Sequence, residues 1–252
     1  IELCRQFEIP WMIIGNGSNL LVGDKGIRGV VIEMGKNAAD IAVDGNQITA
    51  QAGAMLSAVA RRAAMESLAG MEFASGIPGT IGGAVVMNAG AYGGEMKDII
   101  TAVTVLTGTG EQKKLSLEEL ELSYRHSCIP EKGYIVLQAE LKLFQEEKEK
   151  IEARMEELKN QRVTKQPLEY PSAGSTFKRP EGYFAGKLIQ DTGLCGFQVG
   201  GAQVSEKHCG FVINKDHATA SDIENLIKEV QDRVEEKFGV RLETEVKYVG
   251  EF

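Results

Sequence analysis

The sequence predicts an α+β protein of two domains, on three observations. The first half is a succession of short apolar runs broken by glycine-rich turns, the pattern of strands and tight loops. From Gln145 the composition changes to a highly charged stretch with Ile151, Met155 and Leu158 at helical spacing. The end of the chain joins an amphipathic helix to an alternating strand. The boundary is therefore placed at the start of the charged helix, giving domains 1–144 and 145–252.

In the first half, Ile1 to Glu8 reads as a helix remnant, and Pro10 to Ile14 and Gly29 to Glu33 as short strands. Ile41 to Val43 and Gln47 to Gln51 flank Asp44-Gly45-Asn46, a hairpin signal. Leu56 to Met65 reads as a helix. Ser75 to Gly94 carries seven glycines and too little periodicity for a simple helix. Val103 to Leu106 and Gln112 to Leu115 predict a second hairpin, and Ile135 to Leu143 a further strand. In the second half, Ser221 to Glu224 resembles a capping box and Gly239 sits where a helix-ending glycine belongs. Ile223, Leu226, Ile227, Val230 and Val234 give the helix between them one apolar face. Val240, Leu242, Thr244, Val246 and Tyr248 then alternate with Arg241, Glu243, Glu245 and Lys247, predicting a half-buried strand.

At 252 residues and a net charge of −8, the chain can bury real cores. It has no cationic excess for a general nucleic-acid or membrane surface. No apolar run has the length of a membrane span, so a cytoplasmic protein is expected. Cysteines 4, 128, 195 and 209 form no C-x-x-C pair, and reduced thiols without a metal are the expectation. The opening residue is Ile1, which suggests a start partway into a domain.

Two glycine loops bear on function. Gly15-Asn16-Gly17-Ser18-Asn19-Leu20 follows a strand directly, and its glycines let backbone N–H groups approach an anion, with Ser18 and Asn19 adding side-chain donors. Leu20 stands where a Rossmann fingerprint needs its third glycine. Gly76 to Ala84 (GIPGTIGGA) lacks the Lys-Ser/Thr ending of a P-loop. Each loop alone reads as a tight turn; two together point to a dinucleotide.

GNGSNLLV (Gly15–Val22), SGIPGTIGGAVVMNAGAYGGE (Ser75–Glu95), SYRHS (Ser123–Ser127), QPLEYPSAGSTFKRP (Gln166–Pro180), GGAQVSEKHCGFVIN (Gly200–Asn214) and LETEVKYVG (Leu242–Gly250) resemble, in order, the motifs of the UDP-N-acetylenolpyruvoylglucosamine reductase (UDP-N-acetylmuramate dehydrogenase) family. The match covers nearly the whole chain and is similar to the shorter subtype. Family members carry a further N-terminal segment. The resemblance implies a two-lobed FAD-binding domain of vanillyl-alcohol-oxidase type over 1–144 and a smaller α+β substrate-binding domain over 145–252, whose last residues return to the FAD domain.

It also implies the chemistry. Gly15, Asn16, Gly17, Ser18, Asn19 and Leu20, with Ile77, Pro78, Gly79, Thr80, Gly82 and Gly83, would hold the FAD pyrophosphate and ribityl chain. Ala89, Gly90, Ala91 and Ile135 would lie near the isoalloxazine. NADPH would be the hydride donor, and a small-molecule UDP-sugar carrying an enolpyruvyl group the acceptor, in peptidoglycan precursor synthesis, hence in cell-wall biogenesis, cell shape and division. By the same likeness Arg125 grips the substrate carboxylate, Ser175 donates the proton, and Glu245 stabilises the intermediate. Tyr92, Arg179 and His208 match substrate contacts, while Cys195 stands where the family often has lysine, so the phosphate grip is expected to shift towards Lys207. A monomer is expected.

Read from residue pattern alone, these positions are ordinary. Ser175 is a turn serine, Arg125 a surface arginine, and Glu243 is as plausible as Glu245 by periodicity. Two other functions stay open at this stage: another FAD-dependent oxidoreductase of the superfamily, and a non-catalytic nucleotide-sugar-binding module.

Overall fold

A computed structural model describes all 252 residues. The chain divides into two compact units, one comprising Met12–Gly17 and Val31–Arg162, the other Ile1–Trp11, Ser18–Val30 and Val163–Phe252.

The first unit is built on a five-stranded antiparallel sheet in the order Gln112–Ser116, Ile100–Leu106, Ile135–Lys142, Gln47–Gln51, Ile41–Asp44. Both expected hairpins form. Asp44 pairs directly with Gln47, so the turn is the two residues Gly45-Asn46, with Gly45 at φ 57°. The central strand Ile135–Lys142 is bulged against Ile100–Leu106, and its inward residues Val136, Ala139 and Leu141 are buried. The helix Leu56–Met65 forms at its expected bounds and buries Leu56, Val59, Ala60, Ala63 and Ala64. Within the glycine-rich stretch a six-residue helix, Ile81–Val86, is initiated by Thr80, whose hydroxyl accepts from Gly83 N.

The charged helix runs Lys148–Lys165, starting three residues after the change of composition at Gln145. Its stripe is functional in packing: Ile151 and Leu158 are buried, and Ile151 joins Ala64 and Ala69 in a small cluster with Met155 against it. That burial ties the helix to the first unit, so the chain leaves this unit at Arg162/Val163, past the 144/145 junction placed from composition.

The second unit holds a three-stranded antiparallel sheet, Gln198–Val199, Ala202–Val204 and Val212–Asn214, packed by the helices Ala185–Asp191 and Ala220–Phe238. The long helix buries Leu226, Ile227, Val230 and Val234 and ends at Gly239 in the left-handed region (φ 67°). Its start differs from the sequence reading. The capping box is Thr219 with Asp222, two residues earlier than Ser221/Glu224, because Asp24 accepts from Ala220 N (2.7 Å), Ser221 N (3.0 Å) and Ser221 Oγ (2.8 Å), which fixes Ala220 and Ser221 in the first turn. The closing strand is also shorter than its alternation suggests. Only Lys247–Val249 forms a ladder, parallel to Leu20–Val22.

No helix is long and apolar enough to cross a membrane.

Candidate active site

In the first unit the two glycine loops meet. Asn16 Nδ2 donates to Pro78 O at 2.7 Å. Gly15 closes on Thr80 so tightly that a Cβ there would stand 2.3 Å from Thr80 Oγ1. Behind the second loop, Ile81 N and Gly82 N donate to Ala54 O and Ala52 O, both at 2.8 Å. Ile77 N is engaged with Ala74 O, so Ile77 and Pro78 shape the loop and supply no donor to a ligand. The N–H groups of Asn16, Gly17 and Gly79, by contrast, make no hydrogen bond within the protein. Gly17 has φ 68° and open space around it. Backbone donors left facing outward on glycine turns are what an anionic diphosphate requires, so these residues fit a flavin dinucleotide.

The next expected group, Ala89-Gly90-Ala91, leads into a tiny hairpin in which Gly90–Ala91 pairs with Gly94–Glu95. Tyr92 lies in its turn with φ 54° and is partly exposed. Arg125 Nη2 donates to Gly90 O at 3.2 Å, so the structure brings this arginine to the hairpin. Arg125 also has φ 54°, a conformation uncommon for a non-glycine residue, and its guanidinium lies 5.1 Å from the Tyr124 ring centroid. Ser123 and His126 exchange backbone hydrogen bonds at 3.2 Å, making Tyr124-Arg125 the two-residue tip of a tight turn.

Asn88 holds that turn. It is fully buried, donates from Nδ2 to Glu95 Oε2 (2.7 Å) and Ser123 O (3.0 Å), and accepts from Lys97 N at Oδ1 (2.9 Å). Sequence reasoning missed it. An asparagine in a glycine-rich stretch reads as a turn former, and only its complete burial marks it as a brace. Ile135 lies at the start of its strand and is buried.

In the second unit Ser175 follows Gly174, whose φ is 80°, and precedes the buried Thr176. Thr176 is the anchor. Its N–H donates to Gly210 O (2.9 Å), its hydroxyl accepts from Val212 N (2.9 Å), and its carbonyl accepts from Glu245 N (2.8 Å). The ladder continues through the bridge between Phe177 and Thr244 and the bond from Lys178 N to Glu243 O at 2.9 Å. Ser175 is thereby placed one residue from the strand position that Glu245 faces, with its hydroxyl exposed and making no hydrogen bond within the protein. Glu245 is buried at 8% exposure, whereas Glu243 is exposed and pairs with Lys178 at 3.1 Å. The predicted alternation fails at this point: Glu245 and Val246 are both inside. Asn19 Nδ2 donates to Glu245 O at 3.1 Å, which engages one of its two amide hydrogens and ties Asn19 to this segment. Ser18 N makes no hydrogen bond within the protein, and Leu20 is paired in the parallel ladder.

The expected substrate contacts of this unit divide. His208 accepts from Gly210 N at Nδ1 (3.1 Å) and packs edge-on against Phe211, and burial holds its pKa below the ordinary histidine value. It is therefore neutral at pH 7, with Nε2 as its N–H donor. Lys207 Nζ donates to Val163 O at 2.8 Å and lies 3.8 Å from Glu169, so its charge is already partly engaged. Arg179 stacks on Phe184, 4.6 Å from the ring centroid.

The expectation of four reduced thiols is corrected. Cys195 and Cys209 form a disulfide across 14 residues, with Cα atoms 5.6 Å apart, and only Cys4 and Cys128 are free. The turn at His208 to Gly210 folds back onto the loop after Leu194, a proximity that linear spacing does not reveal.

Residues 1–116 match an FAD-binding domain family, and with the cradle of outward N–H donors this defines a flavin-dependent oxidoreductase. Residues 166–249 match the C-terminal domain of UDP-N-acetylenolpyruvoylglucosamine reductase. Enzymes of that name from Agathobacter rectalis and Lachnoclostridium phytofermentans are 61% and 57% identical to the chain, covering all of it and 84% and 82% of their own lengths. The crystal structure of the reductase from Thermus caldophilus superposes with a TM-score of 0.85 at 40% identity, over 98% of this chain and 88% of that one. The chain belongs to the UDP-N-acetylenolpyruvoylglucosamine reductase family.

Proposed function

We propose that this protein reduces the enolpyruvyl double bond of UDP-N-acetylglucosamine enolpyruvate to the lactyl ether of UDP-N-acetylmuramate, a peptidoglycan precursor, with NADPH as reductant. It acts as a cytoplasmic monomer on this small-molecule substrate. The observation that carries the reading is the Thr176–Glu245 pairing, which fixes the exposed Ser175 one residue from the position paired with a buried glutamate.

FAD, when bound, supplies the hydride that reaches the terminal enolpyruvyl carbon. The protein's task is the remaining charge and proton. As the terminal carbon gains hydride, negative charge develops on the adjacent carboxylate, and a cation lowers its energy. Arg125, held by Gly90 O and the Asn88-braced turn, presents a planar guanidinium suited to a carboxylate. Ser175 Oγ delivers the proton to the α-carbon, completing addition of H⁻ and H⁺ across the double bond. A serine hydroxyl is a weak acid, so its conjugate base needs organised neighbours. Glu245, fixed by backbone bonds at its own N–H and carbonyl, would assist in its protonated form, returning a proton to Ser175 Oγ as the serine gives its own to the α-carbon. Neutral His208 and the stacked Arg179 contact the nucleotide-sugar portion.

The test is Ser175→Ala. Flavin reduction by NADPH should proceed near the wild-type rate, while reduction of the enolpyruvyl substrate falls roughly 10²–10⁴-fold, the usual scale of a lost proton donor. Equal loss of both half-reactions in stopped-flow absorbance would contradict the assignment.

A further inference from the structure

Arg162, near the end of the Lys148–Lys165 helix, belongs to none of the groups above. Its guanidinium lies against Gly76, the first residue of the second glycine loop. A Cβ at Gly76 would stand 3.1 Å from Arg162 Cδ, 3.4 Å from Nη1 and 3.8 Å from Nε. The missing side chain of Gly76 is thus the space the arginine occupies. Arg162 is half-buried, and its guanidinium makes no hydrogen bond and no ion pair within the protein.

Arg28, Arg62, Arg154, Arg233 and Arg241 pair with carboxylates, and Arg5 and Arg61, which make no ion pair, are exposed to water, in a chain whose acidic residues outnumber its basic ones 36 to 28. A cation partly withdrawn from water without a counter-ion is costly, and buried charges are normally paired. Burial pulls the guanidinium below its ordinary pKa, and among the groups near enough to act on it electrostatically is Tyr92, not a carboxylate. Beside it lies the loop whose Gly79 N–H faces outward and whose Pro78 carbonyl is tied to Asn16.

We propose that Arg162 is the fixed positive charge of the glycine cradle and takes an anionic oxygen of the FAD diphosphate. Gly76 is glycine where a Cβ would crowd the Arg162 side chain, which leaves the guanidinium room at the start of this loop. A bound diphosphate then supplies the counter-ion that the protein lacks, and the guanidinium meets it as a planar, multidentate donor. The assignment rests on the reading that the two glycine loops carry the diphosphate.

The experiment strips FAD from the holoenzyme and titrates it back into wild type, Arg162→Met, Arg162→Lys and, as the loop control, Gly15→Ala, following quenching of flavin fluorescence. Arg162→Met should raise the FAD Kd at least tenfold at low ionic strength and lose part of the wild-type salt dependence, with Arg162→Lys recovering part of the affinity. An unchanged FAD Kd in Arg162→Met with a raised KM for the UDP-sugar would overturn the proposal and assign the cation to the substrate's diphosphate. An unchanged FAD Kd and KM with a lower Tm would overturn it in favour of a packing role. If Gly15→Ala weakens FAD and Arg162→Met does not, the arginine assignment alone fails. If neither variant weakens FAD, the loop reading fails with it.

Discussion

Around the glycine cradle the groups offered to a ligand are backbone N–H donors of Asn16, Gly17 and Gly79, and side chains such as Asn16 and Thr80 hold the loops together. Around Ser175 the roles reverse. Backbone bonds of Thr176 and Glu245 hold the segment, and the side chains of Ser175 and Glu245 are the groups proposed to act. A backbone-built site should tolerate a changed side chain wherever φ and space permit. A side-chain-built site should fail on loss of a single oxygen or charge.

The largest expected contrast lies between two glutamates on one segment. Glu245→Gln should lower turnover of the enolpyruvyl step about 10²-fold or more, on the scale of acid–base assistance. Glu243→Gln, on the exposed side and bonded only to Lys178, should leave it within about twofold. Comparable losses in steady-state kcat would erase the distinction between the buried and exposed carboxylates.

In the second unit, the disulfide clips the turn bearing His208 and Gly210, whose carbonyl receives Thr176 N. Cys195→Ser should lower unfolding stability by about 3 kcal/mol, the loop-closure value for a bridge of this span. Urea denaturation with and without dithiothreitol checks this: reduction should bring wild type down to the variant and leave the variant unmoved.

Within the cradle, Gly15→Ala should weaken FAD binding much more than Gly17→Ala. The first introduces a Cβ into Thr80; the second meets open space and costs only about 1–2 kcal/mol for a left-handed φ. Equal FAD Kd values for the two would show that the contact between the loops is immaterial.

The smallest effect concerns Asp24. Its hydrogen bonds from Ala220 N, then from Ser221, hold its carboxyl below the usual aspartate value. The unfolded chain therefore takes up the proton first. The contribution is present above about pH 4 and is lost as pH falls through the folded-state value. Asp24→Asn should flatten that part of the pH dependence of the urea midpoint between about pH 5 and 2.5, and an unaltered slope would remove Asp24 from the helix start.

Much of the first unit is legible in sequence because its signals are local. Gly45 and Gly110 mark hairpins, Leu56 to Met65 has a clean apolar period, and glycines announce where backbone must approach something closely. The ordered motifs also indicated the family. Sequence spacing left Glu243 and Glu245 equivalent, since both sit on the polar side of an alternating pattern; the Phe177–Thr244 bridge and the burial of Glu245 separate them. The same holds for Asn88, for the Cys195–Cys209 pairing and for the unpaired Arg162, each defined by residues distant in the chain. Periodicity and turn chemistry are properties of neighbouring residues, so the sequence by itself determined the elements and the glycine loops. Burial, pairing and the absence of a counter-ion depend on what the fold brings near, and only the tertiary structure decided those.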